Sequence, residues 1–131
     1  MKLANEIQVG GDHYKAEYQH WDLMIDLETP CPVVYATKYV YRWRKKNGVQ
    51  DLEKAIHCLQ KAEDVGIELK KNEQLVLHFI HSNKMHINDA YAFNMILSGE
   101  YAKAIKIIET LIKEEEYYNP SGSGYVNQGE E

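Results

Sequence analysis

The chain has 131 residues with a hydrophobic fraction of 44% and a charged fraction of 27%, which sets one globular domain as the expectation. Its formal net charge of −5 sits at one end: residues 1–113 hold 15 basic and 15 acidic side chains, and the remaining acids are Glu114, Glu115, Glu116, Glu130 and Glu131. A neutral body is not what duplex nucleic acid needs, because each phosphate contact calls for a cation. No apolar run approaches the roughly 20 residues that cross a bilayer, and the first 11 residues lack a signal peptide's apolar core. Cys31 and Cys58, in neither CxxC nor zinc-finger spacing, read as reduced thiols of a cytoplasm.

In chain order, residues 1–20 form an arm with no sustained period, carrying His13, Tyr14 and Lys15. A short helix is expected over 21–28, where Leu23, Met24 and Leu27 share a face, and Thr29-Pro30-Cys31-Pro32 breaks it. Pro32 suits the first turn of a second helix running to about 46, closed by Asn47-Gly48. Asp51 is the expected N-cap of a third helix over 52–71, with Leu52, Ala55, Ile56, Leu59, Ala62 and Val65 inward and Ile67 and Leu69 continuing the pattern. The short link makes helices two and three an antiparallel hairpin. Helical segments at 73–81, at 88–97 (capped by Asn88 or Asp89 and closed by Ser98-Gly99) and at 101–116 complete an all-α domain of about five helices. Residues 119–131, rich in Gly and Ser, read as a flexible tail.

Between Lys38 and Lys46 stand five cations, Lys38, Arg42, Arg44, Lys45 and Lys46, and no acid, interleaved with Tyr39, Tyr41 and Trp43. On a helix Lys38 and Arg42 are four apart, as are Tyr35, Tyr39 and Trp43, so a cationic stripe adjoins an aromatic one. Guanidinium groups grip phosphate through paired hydrogen bonds, and rings beside them stack on bases. The plainer account is that Arg44, Lys45 and Lys46 complement the helix dipole and the rings fill the core, Lys38 and Arg42 lying too early for the dipole.

His13-Tyr14-Lys15, Asp26, the run Ala36-Thr37-Lys38-Tyr39-Val40-Tyr41-Arg42 and the run Asp51-Leu52-Glu53-Lys54-Ala55 with Leu59 resemble a family of short bacteriophage proteins. It is a domain of unknown function termed nucleotide-kinase-like, after a small coliphage nucleotide kinase that contains it. The resemblance spans roughly residues 10–63 and departs from the family's small residues at Trp43-Arg44. It implies a ligand-contacting set of His13, Tyr14, Lys38, Tyr39, Arg42 and Lys54, which the basic run extends to Lys45.

No GxxxxGK[ST] loop is present, and Asp12, Asp22, Asp26 and Asp51 show no paired spacing to hold Mg²⁺. His78, His81 and His86 lack the carboxylate spacing of a zinc site. The expectation is a phage protein of the host cytoplasm, without a cofactor, that self-associates and sequesters a nucleotide or a nucleotide-derived immune signal of the cyclic nucleotide or cyclic ADP-ribose type. The alternatives are a small phage nucleotide (deoxynucleoside monophosphate) kinase using ATP and Mg²⁺, and a helical inhibitor that binds a host protein through residues 73–131.

Overall fold

The computed structural model describes residues 17–120, so His13, Tyr14 and most of the C-terminal tail lie outside it. Six helices and no strand occur among the described residues: α1 (His20–Asp26), α2 (Cys31–Arg42), α3 (Val49–Val65), α4 (Glu73–Ser82), α5 (Ile87–Leu97) and α6 (Tyr101–Tyr118). The all-α expectation holds. None of these helices is long and apolar enough to cross a membrane.

α2 begins with Pro32 in its first turn and buries Val33, Ala36, Thr37 and Val40, the three-four spacing of one helical face. That face meets Leu52, Ala55, Leu59 and Ala62 of α3, and the α2–α3 pair is the most extensive helix contact among the described residues. α3 also packs on α6 and α2 on α5, while α1 rests on α4. Phe79 of α4 and Phe93 of α5, both fully buried, lie parallel with ring centroids 5.2 Å apart at the α4–α5 contact.

Three boundaries of the α2–α3 hairpin differ from expectation. α2 tightens into a 3-10 turn, Trp43–Lys45, instead of continuing as an α-helix to 46, and Trp43 is only 2% exposed there. α3 starts earlier, capped by Gly48 at φ +61°, so Asp51 is not the N-cap but a buried residue of the first turn. It also ends earlier, at Val65, where Gly66 takes φ +68° and its N–H donates to Glu63 O at 3.1 Å. Ile67 and Leu69 still face the core, but from an irregular segment that the Tyr101 hydroxyl holds by donating to Ile67 O at 2.9 Å. Nothing crowds a methyl group at Gly66, so Gly66→Ala isolates the left-handed backbone penalty. A loss of about 1 kcal/mol in urea unfolding is expected, and Gly66→Asn is expected to lose less.

The N-cap of α5 is likewise displaced, from Asn88 or Asp89 to His86, whose Nδ1 accepts from the Asn88 N–H at 3.2 Å. Ser98 and Gly99 close α5 as expected.

Candidate functional site

The chemistry concentrates where α2 gives way to the 3-10 turn. Shifting from 3.6 to 3 residues per turn re-aims successive side chains, and here it sends Trp43 into the core with Arg42 and Arg44 to different partners. Arg42 forks onto Asp51 with Nε–Oδ2 at 3.2 Å and Nη2–Oδ1 at 3.3 Å. The Asp51 side chain is 0% exposed and also accepts from the Asn47 backbone N–H and from Nδ2, each at 3.4 Å. Arg44 forks onto Asp89 of α5, 45 residues away, at 2.7 and 3.0 Å. A carboxylate leaves water only if such bonds replace its hydration, so each arginine is locked by the acid it neutralises.

Rings complete the arrangement. The Arg44 Cζ lies 4.3 Å from the Trp43 ring centroid and the Arg42 Cζ 5.2 Å from that of Tyr39, with Lys54 Nζ 5.7 Å from the same ring. These are cation–π distances. Of the expected aromatic stripe only Tyr35 is an open ring: Trp43 is core, and Tyr39 already carries two cations. Arg42 also falls in the last turn of α2, so it is well placed for the helix dipole, contrary to its reading as too early.

Beside this turn opens a cleft of about 190 Å³. One wall is Tyr41, Arg42, Arg44 and Lys45; the other is the α4–α5 connection, Asn83 to His86, with Asp89 at the start of α5. Asn83 ties the walls together, accepting from the Tyr41 hydroxyl at 3.0 Å and donating to Tyr18 O at 2.9 Å and Phe79 O at 3.0 Å. Because His86 Nδ1 accepts the cap hydrogen bond, the neutral ring carries its proton on Nε2, as a donor. Four cations thus face one carboxylate along the lining, and Lys45 and Lys84 make no ion pair among the described residues.

Of the residues singled out in the sequence, Tyr41, Arg42, Arg44 and Lys45 line the cleft, and Arg42 links it to Tyr39, whose ring also meets Lys54. Lys38 is not part of the cleft lining, and its charge acts on His20 instead. The second wall escaped sequence reasoning. Asp89 read as a helix cap and His86 as one of three scattered histidines, and Lys84 carried no signal at all.

Other candidates resolve into structural roles. His20 is largely buried, with Nε2 2.8 Å from Thr37 Oγ1, and burial, aided by the Lys38 charge, lowers its pKa to about 4. His78 packs against the Tyr18 ring at 5.1 Å. Cys31 is exposed and Cys58 half-buried, and burial, then the neighbouring Cys31, pushes the Cys58 thiol up, away from nucleophilic character. Among the described residues no three His, Cys, Asp or Glu side chains gather as metal ligands. No protein-family model, no curated protein and no solved structure matches the chain.

Proposed function

We propose that the protein captures a nucleotide or nucleotide-derived anion at the cleft between the 3-10 turn and the α4–α5 connection, and releases it unchanged. The observation that carries this reading is the cleft lining: two arginines fixed by buried carboxylates, with Lys45 and Lys84 added and one acid among them. Arg42 and Arg44 are neutralised by their own carboxylates, so Lys45 and Lys84 bring the charge left to attract an anion into the cleft. Electrostatic preorganisation of this kind binds phosphate without reorganising on contact.

The carboxylates favour capture over phosphoryl transfer. A kinase holds Mg²⁺ through acids that face its nucleotide. Here Asp51 and Asp89 serve Arg42 and Arg44, Asp22 accepts the Gln19 backbone N–H at 2.9 Å, and Asp26 accepts the Tyr18 hydroxyl at 2.7 Å. In this reading the chain is a phage sponge for a host signal built on a nucleotide, as its resemblance to short phage proteins would suit.

A mass balance tests it. The protein is mixed with nucleoside mono- and triphosphates, cyclic dinucleotides and cyclic ADP-ribose isomers in the presence of Mg²⁺, filtered, and then boiled. One compound should leave the filtrate and return chemically intact. A monophosphate returned as a diphosphate, with ADP appearing, would make the protein a kinase. A filtrate that loses nothing would move the function to a protein partner.

A further inference from the structure

We infer that the cleft receives the terminal phosphomonoester of its ligand, a dianion, in preference to a phosphodiester, which carries one charge per phosphate. This rests on the anion-capture reading and narrows it. Charge supplies the first argument. Arg42 and Arg44 line the cleft already paired with Asp51 and Asp89, so the charge offered to a ligand is that of Lys45 and Lys84, two cations that make no ion pair among the described residues. A phosphomonoester above its second pKa of about 6 supplies the matching two.

Size is the second argument. At about 190 Å³ the cleft is smaller than the roughly 300–1,000 Å³ that encloses a whole small-molecule ligand. It suits a head group, with the rest of the ligand outside.

The third argument is the backbone of Lys84. This residue follows the cap of α4 at φ +52°, its N–H donating to His81 O and the Met85 N–H to Ile80 O, each at 3.2 Å. The position is the left-handed one that glycine normally fills, and a side chain there is destabilising. Glu28 occupies the same place after α1, and its carboxylate meets Lys70 at 2.9 Å. Lys84 has no such ion-pair partner among the described residues, and it lines the cleft. A ligand phosphate is the partner that accounts for a lysine in a glycine position. Lys45 lines the opposite wall, so the two lysines without ion-pair partners stand on either side of the cleft.

The test is calorimetric titration of the full chain with the four common nucleoside 5′-monophosphates and their 3′,5′-cyclic counterparts, which differ in phosphate charge but not in base. At least one monophosphate is expected to bind about tenfold or more tightly than its cyclic form. Equal or tighter binding of the cyclic form overturns the inference and leaves anion capture standing. If neither series binds, the inference falls, and the mass balance with its pyrophosphate-containing compounds decides anion capture separately. Lys84→Gly supplies a second readout. It is expected to raise Tm by about 3 °C, by relieving the left-handed backbone, while weakening monophosphate binding about tenfold or more. A Lys84→Gly protein that binds as the parent does, or a Lys84→Gln protein that does, overturns the inference.

Discussion

Replacing Arg42 by alanine is expected to cost about 3–5 kcal/mol of folding stability, seen as a lower urea midpoint at unchanged slope. The cause is the partner left behind. Asp51 is fully buried, and without the guanidinium its remaining bonds are the two long ones from Asn47. A buried carboxylate in that state must be ionised without compensation or take up a proton, and both oppose folding. Replacing the pair together, Arg42→Met with Asp51→Leu, should recover most of the loss, since an apolar pair of similar volume has no charge to desolvate. A single-variant loss below about 1 kcal/mol would show that water reaches Asp51 and that the pair does not hold the turn between α2 and α3. Arg42→Ala is accordingly a poor probe of binding. Lys45 and Lys84, both exposed, separate binding from folding.

This pair also shows where the sequence was legible and where it was not. The helices of the hairpin follow from local signals: Pro32 in a first turn, apolar residues at three-four spacing, glycine after the turn. Gly66 was a signal too, but Ile67 and Leu69 continue the apolar period past it, so the pattern hid the stop. Asp51 looked like an N-cap because caps and first-turn acids are the same residue types. Only tertiary structure shows it buried under Arg42. The Arg44–Asp89 fork joins residues 45 apart, and no local pattern encodes that distance. The cleft was half visible for the same reason. Its basic wall is continuous in sequence, while its other wall comes from a connection whose Lys84 is notable only for its backbone angle.

Stability is expected to fall as the pH drops from about 6.5 towards 4, by about 3 kcal/mol in total. His20 sets this window. Its pKa is about 4 in the fold against 6.5 for the unperturbed side chain. Between these values the unfolded chain binds a proton that the folded chain does not, so acid favours unfolding. Above 6.5 the ring is neutral in both states and the full stability is present. Below about 4 it is charged in both, and this group causes no further loss. The geometry supports the direction. His20 Nε2 lies 2.8 Å from the Thr37 hydroxyl, while Tyr41 and Phe79 enclose the ring at centroid distances of 6.3 and 6.2 Å. His20→Gln keeps a hydrogen-bonding group for Thr37 without the titration. The difference between its stability-versus-pH curve and the parent's isolates the histidine. Parallel curves across pH 4 to 6.5 would mean that the imidazolium is tolerated in place.

The most direct test of the cleft as the ligand site is a backbone amide NMR titration of the full chain with the compound that the mass balance retains. The account predicts that shift changes cluster at residues 41–45 and 83–89, the two walls that Asn83 joins, and that Lys45→Gln and Lys84→Gln diminish them together. Changes confined to other surfaces, such as the outward faces of α3 and α6, with these two segments silent, would contradict it.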